Sequence, residues 1–426
     1  MIEVVGLGDA GWAALGEPQR ELVRGADVLL GGARHLALVP PLDGQDRRTW
    51  PSPLREGLPA LLADVRGSVV VLASGDPLRS GVGTTLLELL GSHTVRIHPA
   101  VSSDTLARAR LGWPAETTDV VTTVGRDLQT VLPLLTPGAR VVVLCSDGRD
   151  PARLGGLLAG KGLAAARLTA LWYLGGAEEG SRTASAGEWA DQDAAGKVTP
   201  DLVVCAVEVP SAERLAGTSS GAATLAEAWG PVPGRPEDCF DHDGQITKRD
   251  VRASALARLR PTPGAHLWDL GAGSGSVGVE WCLAAPRAGC TAFERDAHRA
   301  DRARANAWAH GVGARVEVLH GDSAHLLSRV AEGGTTLPRP DAVFVGGGAS
   351  DVLLDLAWQA LSPGGRLVGH AVTLEGEAVL VRALQRLGGD LTRLSVEHAT
   401  ALGRYLSWTP ARAVVQFSCT RKEAPA

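Results

Sequence analysis

Cysteine is scarce in this sequence, and its spacing excludes two kinds of site. Six cysteines occur among 426 residues, and none of them forms a Cys-x-x-Cys pair. The usual zinc-binding and thioredoxin-like redox motifs are therefore missing. Cys145, Cys205 and Cys290 lie within apolar segments that are typical of strands, where a free cysteine is usually a small core residue. We predict no metal site.

Long apolar runs and an excess of positive charge are also missing. No apolar run approaches the roughly 20 residues needed to cross a bilayer. The N-terminal segment IEVVGLG has no basic residue ahead of it and is too short for a signal peptide. Lysine and arginine number 42 against 47 acidic residues, a net charge of −5, whereas general nucleic-acid binding needs a basic surface. We expect a cytoplasmic protein with neither a membrane nor a nucleic-acid partner.

Apolar strands are abundant, and they indicate the fold class. VVVLAS, VVVLC and LVVCAV are continuous apolar runs, which are typical of strands covered on both faces. Residues 210–235 differ, because Ser, Gly, Ala and Pro dominate there without a sustained apolar strand. We therefore predict an α/β protein with one domain at residues 1–208, a linker at 209–235 and a second domain at 236–426. A break near residues 112–114 predicts that the first domain has two lobes with a cleft between them.

A glycine-rich segment dominates the second domain. Residues 266–278, HLWDLGAGSGSVG, predict a strand, a tight turn and a helix. Glycine suits such a turn because it adopts positive φ and lets backbone approach a ligand. A dinucleotide fingerprint, G-x-G-x-x-G, fits only out of register, from Gly273 to Gly278, with its last glycine inside the helix. The in-register pattern is D-x-G-x-G-x-G from Asp269 to Gly275, the form of the S-adenosylmethionine (SAM) loop in seven-stranded methyltransferases.

Two later strand ends strengthen the prediction of SAM binding. The next strand ends at Glu294, and an acid about 20 residues past such a loop can bind ribose hydroxyls. A third strand ends before Asp322 and Ser323, where an acid often meets the adenine amine. The last segments, LTRLSVEHA and ARAVVQFSCTR, predict an antiparallel hairpin at the edge of a sheet of about seven strands.

The first domain ends several strands in polar turns. VVVLAS stops at Gly75-Asp76-Pro77, which predicts that Asp76 points into a cleft and that Pro77 begins the next helix. Ser102 and Ser103 are candidate N-caps for the helix that follows them. Residues 10–24 predict a helix after the first strand.

The motifs GLGDAGW, ASGDP, HPAVSSDTLARARLGWP and SDGRDPARLGGLL resemble the tetrapyrrole (precorrin) methylases, and within them the domain that methylates carbon 5. This resemblance implies a two-lobed tetrapyrrole methylase fold with SAM in the cleft between the lobes. The SAM-binding positions that it implies are Gly8, Gly75, Asp76 and Ser103. The chain departs from the wider family at Asp9-Ala10-Gly11, where relatives have Pro-Gly, and at Val124, where many have His.

The motifs ITKRDVRA, WDLGAGSGSVGVE, GGG at residues 346–348 and AVTLE resemble the precorrin methyltransferase domain that methylates carbon 15 and decarboxylates. This implies a Rossmann-like, seven-stranded methyltransferase sheet. The positions that match SAM-binding residues of that family are Thr247, Gly271, Gly273, Gly275, Glu294 and Ser323, to which our reading of the strand ends adds Asp269 and Asp322. His370 is a departure, since an Asn or another small residue is expected there.

Fusion of both domains in this order implies a reaction. We expect a SAM-dependent enzyme with two SAM sites that methylates precorrin-6Y at carbons 5 and 15, removes carbon dioxide from the carbon-12 acetate and gives precorrin-8X in cobalamin biosynthesis. We also expect a homo-oligomer. Two alternatives are a C-terminal half that methylates RNA or another small molecule, and a non-catalytic SAM-binding protein. The net negative charge argues against RNA as the substrate. The intact glycine and Gly-Asp-Pro turns argue against a protein without catalytic activity.

Two residues are candidates for contact with the tetrapyrrole. Arg404, in LGRYLSW, is either a solvated surface charge or a bidentate partner of a substrate carboxylate. His370 is either a satisfied polar residue at a strand end or a catalytic group. We predict both as catalytic candidates.

Overall fold

The computed structural model describes residues 1–192, 196, 198–211, 230–334 and 336–422. The described residues fall into two compact units, one within Met1–Leu128 and Leu134–Ala228 and the other within Gln129–Pro133 and Trp229–Ala426. Most of the predicted linker, residues 212–229, lies outside the described residues, so the predicted boundaries at 208 and 236 remain predictions.

The first unit begins with a five-stranded sheet in the order β3-β2-β4-β1-β5, and all neighbours are parallel. Its strands are β1 (Ile2–Leu7), β2 (Val28–Gly31), β3 (Asp46–Thr49), β4 (Val69–Ser74) and β5 (Val95–His98). The helices around it are α1 (Glu17–Arg24), α2 (Ala33–Ala37), α3 (Leu54–Asp64) and α4 (Val82–Leu90). The next helix, α5 (Ser103–Leu111), packs on the second sheet of this unit.

Continuous apolar strands arise in this sheet because both of its faces are covered. In β4, Val71 packs in a cluster with Leu58 of α3 and Leu86 of α4. Its neighbour Leu72 points to the opposite face and packs in a cluster with Val23 of α1. Alternate residues of one strand therefore serve two cores.

A second sheet of the first unit has the order β6-β7-β10-β8-β9. β6 runs parallel to β7, and the other neighbours are antiparallel. Its elements are β6 (Asp119–Thr122), β7 (Arg140–Leu144), α6 (Asp150–Gly160), β8 (Arg167–Trp172), β9 (Gly180–Ser185), α7 (Ala186–Ala190) and β10 (Val203–Glu208). The two sheets confirm the predicted two-lobed fold.

The second unit is built on a seven-stranded mixed sheet in the order β13-β12-β11-β14-β15-β19-β16. Its strands are β11 (His266–Leu270), β12 (Gly289–Glu294), β13 (Val316–His320), β14 (Ala342–Val345), β15 (Arg366–Ala371), β16 (Asp390–Leu394) and β19 (Val414–Thr420). The helices are α8 (Arg249–Leu259), α9 (Ser276–Ala284), α10 (Ala297–Ala309), α11 (Ser323–Ala331), α12 (Asp351–Ala360) and α13 (Leu374–Leu387). This confirms the predicted seven-stranded fold.

The last strands differ in one respect from the predicted edge hairpin. β16 and β19 do pair antiparallel, but β19 lies between β15 and β16. A separate hairpin of β17 (Glu397–Leu402) and β18 (Tyr405–Pro410) connects them, and every residue of its two strands is exposed. The segment LTRLSVEHA is thus divided between β16 and β17.

Two helix predictions in the first unit are corrected. Residues 10–24 do not form one helix, because a short 3-10 turn at Gly11–Ala14 precedes α1. Pro77 does not begin a helix, since it lies in a turn and α4 starts at Val82 with Gly81 as its N-cap. None of the helices in the described part of the chain is long and apolar enough to cross a membrane.

Candidate functional site

The loop after β11 has the backbone geometry that its glycines predict. Gly271, Gly273 and Gly275 have φ of +73°, +57° and +74°, a region that other residues rarely adopt. A Cβ on Gly271 would stand 3.1 Å from the Gly347 carbonyl oxygen, and one on Gly275 would stand 3.0 Å from Ala303 Cβ. A Cβ on Gly273 would meet no protein atom closer than 3.7 Å. Gly273 therefore presents bare backbone to open space, whereas Gly271 and Gly275 allow the loop to pack closely against other parts of the protein.

Glu294 lies at the end of the strand beside β11 and holds the glycine loop. One carboxylate oxygen accepts a hydrogen bond from the Gly273 N–H at 2.7 Å, and the other accepts one from the Asp296 N–H at 2.9 Å. The side chain is 5% exposed. Each carboxylate oxygen has a second acceptor site, so the group keeps capacity to accept a hydroxyl hydrogen.

Asp269 occupies a different place from the one predicted. Its side chain is fully buried beneath the loop, and Oδ2 accepts the Gly278 N–H of α9 at 3.1 Å. Oδ1 has no hydrogen-bond partner among the described residues. Burial raises the pKa of this carboxyl to about 7, and the charge of Glu294 adds to the effect. Asp269 thus supports the loop from below and does not line the cavity above it.

A cavity of about 1280 Å³ opens beside the glycine loop, which exceeds the size of most small-ligand pockets. Its wall includes the Gly346–Gly348 turn after β14, together with Arg295 and Ser350. The predicted site residues that line it are Thr247, Gly271, Gly273, Glu294, Asp322, Ser323 and His370. Asp269, Gly275 and Arg404 are not on this wall. A positive-φ glycine loop with open space above it, beside a strand-end carboxylate, fits an adenosine-bearing ligand such as SAM.

The predicted acids and hydroxyls around the cavity have specific local roles. Asp322 is the N-cap of α11 and accepts the His325 N–H at 3.0 Å. Ser323 is the first residue of that helix. Thr247 directly precedes Lys248, the N-cap of α8, and the Thr247 carbonyl accepts a hydrogen bond from Arg252 at 2.5 Å.

Arg252 is a structural residue. It is completely buried and forms an ion pair with the equally buried Glu280, 3.1 Å from Nε to Oε1. Glu280 also accepts the backbone N–H groups of Gly234 and Arg235 at 2.9 and 2.8 Å. This buried pair fixes residues 234–235 against α8 and α9. Arg252 does not line the cavity.

His370 is buried in β15 and reaches the cavity wall. Its Nε2 lies 2.9 Å from Gln416 Oε1, and Gln416 in turn donates to Ser254 Oγ at 3.1 Å. The ring stacks edge-on against Phe344 with 4.9 Å between centroids. Burial lowers the pKa of His370 to about 4, so its ring is neutral near pH 7.

Arg404 lies in the turn between β17 and β18, at the tip of the exposed hairpin. Its guanidinium lies 5.0 Å from the centre of the Tyr405 ring. The arginine that does line the cavity from this part of the chain is Arg412, just after β18. Nothing in the local sequence distinguishes Arg412 from Arg404, because the difference depends on where the hairpin leaves the sheet.

In the first unit, the predicted residues gather at the carboxyl edge of the parallel sheet. Gly75, with φ of +48°, donates its N–H to Leu7 O at 3.0 Å, and its carbonyl accepts the Ala100 N–H at 3.1 Å. The turns after β1, β4 and β5 are therefore hydrogen-bonded side by side. A Cβ on Gly75 would stand 3.0 Å from Ser102 Cα, whereas one on Gly8 would meet nothing within 4 Å. Close-packed turns beside open space at Gly8 fit a ligand laid along this edge.

Asp76 and Ser103 lie at the same edge. Asp76 Oδ1 accepts the Leu78 N–H at 2.9 Å within its own turn, and the side chain is partly exposed. Ser103 is the first residue of α5, and Ser102 is the N-cap, although no side-chain bond caps this helix.

A chain of polar contacts at this edge was not predicted. Arg34 Nη1 donates to Asp9 Oδ1 at 3.1 Å, and Arg34 Nη2 approaches His35 Nε2 at 3.0 Å. Ser74 Oγ lies 2.9 Å from the same His35 nitrogen. Desolvation and Arg34 lower the pKa of His35 to about 4, which leaves it a neutral acceptor. The sequence does not predict these contacts, because they join residues from different strand ends.

The described residues contain no group of three or more His, Cys, Asp or Glu side chains placed to hold a metal ion. Cys145, Cys205, Cys282, Cys290 and Cys419 are buried free thiols.

Comparison with protein families gives a match for each half. The model of a precorrin methyltransferase domain matches residues 238–421. The model of tetrapyrrole (corrin/porphyrin) methylases matches residues 1–185.

Relatives match along nearly the whole chain. The chain is 42% identical over 421 residues to a precorrin-6Y C(5,15)-methyltransferase (decarboxylating) of Sinorhizobium sp, which covers 99% of this chain and 96% of the relative. It is 37% identical over 423 residues to the protein of the same name in Mycobacterium tuberculosis strain H37Rv, covering 99% and 100%. A probable cobalt-precorrin-6B C(15)-methyltransferase (decarboxylating) of Saccharolobus solfataricus is 30% identical over 162 residues, 37% of this chain and 78% of that protein.

Proposed function

The chain belongs to the decarboxylating precorrin-6Y C(5,15)-methyltransferases of cobalamin biosynthesis, and from that premise we propose that each of its two units binds one SAM and performs one of the two methylations. The observation that carries this proposal is the match of two different methylase families to two different parts of the chain. The overall reaction converts precorrin-6Y and two SAM into precorrin-8X, carbon dioxide and two S-adenosylhomocysteines.

We assign methylation of carbon 15 and decarboxylation to the second unit, and methylation of carbon 5 to the first. Support comes from the shorter Saccharolobus relative, whose name includes C(15)-methylation and decarboxylation although it aligns with only 37% of this chain. The precorrin methyltransferase domain at residues 238–421 is the part of matching size. The predicted boundaries, with a linker at 209–235, belong to the same proposal.

Methyl transfer from SAM depends on correct placement of the reacting atoms more than on an activated side chain. SAM, when bound, supplies a methyl group on a sulfonium that a carbon nucleophile can take directly. The meso carbons of a reduced tetrapyrrole are enamine-like nucleophiles, so no activated serine or cysteine is needed. The protein's contribution is to hold the carbon in line with the methyl group and to exclude water.

In the second unit, we propose that the glycine loop and Glu294 hold the cofactor. The open space over Gly273 admits the ligand against bare backbone, and Glu294 accepts the ribose hydroxyl hydrogens with the lone pairs that Gly273 and Asp296 leave unused. Asp322 and Ser323 flank the adenine end, and Thr247 and Gly271 complete the cradle. Gly275 acts indirectly, because its missing Cβ lets the loop pack against Ala303 of α10. Asp269 acts from beneath by fixing α9 to the loop.

His370 serves this cavity as a neutral group in our proposal. Because burial lowers its pKa to about 4, the ring is a hydrogen-bond partner for the macrocycle and not a proton donor near pH 7. The electrons released by loss of the acetate carboxyl pass into the conjugated macrocycle, which makes a separate electron sink unnecessary. In the first unit, Gly8, Gly75, Asp76 and Ser103 hold the second SAM along the edge of the parallel sheet.

We further propose that the enzyme is a homo-oligomer and that it acts in the cytoplasm, where SAM is made. Support for self-association comes from the β17–β18 hairpin. Leu406 and Trp408 are 75% and 68% exposed on one of its faces, beside Ala399 and Ala401. Such an apolar face with open strand edges is suited to a second copy of the same hairpin.

A calorimetric titration tests whether there are two sites. Gly8→Trp and Gly347→Trp each place a large side chain where no protein atom lies within 4 Å of the new Cβ, at backbone conformations that tolerate it. The exposed Gly160 offers the same room at the end of α6, so Gly160→Trp is the matched control. We expect two SAM equivalents for the native chain and the control, and one for each cleft variant. A single equivalent in the native chain would contradict the proposal.

A further inference from the structure

The cavity of the second unit has a wall that the SAM-binding residues do not form. It comes from the segments flanking the β17–β18 hairpin. The Ala411 N–H donates to Val396 O at 2.9 Å and so closes the base of the hairpin. Residues on both sides of this closure line the cavity, namely Leu394, Val396, His398, Ala411, Arg412 and Val414. Most of this wall is aliphatic.

Arg412 is a cation on that wall with unused hydrogen-bonding capacity. Of the other basic residues on the wall, Arg299 is bound to Asp243 at 2.7 Å, and His398 lies 3.8 Å from Asp250. Lys248, the N-cap of α8, carries a point charge without the planar fork of a guanidinium. Arg295 directly follows Glu294, on the side assigned to the cofactor. Arg412 has no hydrogen bond or ion pair with any residue in the described part of the chain, and its side chain is exposed. Its five N–H donors are therefore available to a ligand.

This combination matches the chemistry of the tetrapyrrole. A precorrin is a broad macrocycle with acetate and propionate carboxylates around its edge. Aliphatic side chains can cover a ring face, and a planar guanidinium binds a carboxylate through two parallel hydrogen bonds. We propose that Arg412 binds a peripheral carboxylate of the tetrapyrrole and so selects which edge of the macrocycle enters the second unit. The inference rests on the proposed assignment of carbon-15 methylation and decarboxylation to this unit.

The chemistry of decarboxylation indicates which carboxylate is bound. When carbon dioxide leaves, the carbon–carbon bond breaks and its electron pair passes into the macrocycle. A guanidinium held on the departing carboxylate would stabilise the starting state and oppose this step. Arg412 therefore holds a carboxylate that is retained in the product. Its removal should weaken substrate binding without abolishing the chemistry.

Steady-state kinetics with precorrin-6Y at saturating SAM test the inference. For Arg412→Ala we expect the KM for the tetrapyrrole, followed by carbon dioxide release, to rise about tenfold to a hundredfold, the usual effect of losing a charged hydrogen bond. The kcat should change by less than about threefold, and SAM affinity should be unchanged. For Arg412→Lys we expect a KM between those of the native chain and Arg412→Ala, because lysine keeps the charge but lacks the planar fork.

Two comparison variants make the outcome decisive. Arg386→Ala, which removes an exposed arginine paired with Asp355 on the outer helices, is the control for loss of a surface charge. Arg404→Ala tests the competing arginine at the hairpin tip. A raised KM for Arg404→Ala with an unchanged KM for Arg412→Ala would overturn the inference, and so would weakened SAM binding in Arg412→Ala. A native chain that releases no carbon dioxide would contradict the proposed function itself.

Discussion

Asp269 combines a buried carboxyl group with a structural task. It lies under the glycine loop, bonded to Gly278 of α9, with one oxygen unpartnered among the described residues. Taking this group out of water disfavours its ionised form, which is why its pKa rises to about 7 from 3.8. At acidic pH the group that supports the loop is therefore a neutral carboxyl. At alkaline pH the same group is an isolated, buried negative charge.

The raised pKa of Asp269 predicts how the free energy of unfolding depends on pH. The folded pKa is raised, so the stabilising contribution is fully present below the unfolded pKa near 4 and is lost as the pH rises through about 7. The full effect is on the order of 4 kcal/mol. Asp269→Asn keeps the acceptor for Gly278 but cannot ionise. We expect its free energy of unfolding, relative to the native chain, to improve as the pH rises from about 4 to about 8.

Urea unfolding of the native chain and Asp269→Asn across that pH range provides the measurement. Cys290, which is buried close to Asp269, offers a control because its thiol pKa is raised well above this range. Cys290→Ala should shift the unfolding curve without changing its pH dependence. Parallel pH profiles for Asp269→Asn and the native chain would contradict a raised pKa of Asp269 in the folded protein.

At the residue scale, sequence predicts positions that local geometry dictates and misses those that depend on distant elements. The loop glycines and Glu294 could be predicted because a strand–turn–helix fixes them within a short segment, and each strand end follows from the apolar run before it. Arg412 could not be preferred to Arg404, since only the closure between Ala411 and Val396 brings it to the cavity. The contact of His35 with Ser74 likewise joins two strand ends far apart in sequence.

At the scale of elements, the β17–β18 hairpin is the feature that sequence reasoning missed. Its residues lack the long apolar runs of the core strands, and one face alternates Ala399 and Ala401 with Leu406 and Trp408 across the pair. Isolated two-stranded hairpins are marginal in water, so a partner for this face is expected. The start of the helix after β4 was also predicted wrongly. Proline is common at the first position of a helix, but its presence does not require that a helix begins there.

Sedimentation velocity tests the role of the hairpin. The native chain should sediment as a multiple of its 44.1 kDa mass. Trp408→Glu should shift it towards the single chain, because a charge cannot be buried cheaply in an apolar contact. Ser407→Glu places the same charge on the opposite face of β18 and should leave the assembly intact. A native chain that sediments as a monomer, or an assembly that survives Trp408→Glu, would contradict this interface.

At the scale of the whole molecule, the pattern of apolar strands was sufficient for the fold class. Continuous runs predicted covered sheets in both halves. The parallel sheet of the first unit and the seven-stranded sheet of the second do have helices on both faces, as the clusters on either side of β4 and of β14 show. The order of the strands could not be predicted from the sequence in the same way. The insertion of β19 between β15 and β16 depends on pairing between distant parts of the chain and not on a local pattern. The division of labour between the units remains a proposal.

Product counting tests that division most directly. The native chain, Gly8→Trp and Gly347→Trp are each incubated with precorrin-6Y and methyl-labelled SAM, and mass spectrometry and carbon dioxide release are followed together. The native chain should add two methyl groups and release one carbon dioxide per tetrapyrrole. Gly347→Trp should add only the carbon-5 methyl group and release no carbon dioxide, whereas Gly8→Trp should fail at carbon 5. Carbon dioxide release that survives Gly347→Trp, or that is lost only in Gly8→Trp, would contradict the assignment of decarboxylation to the second unit.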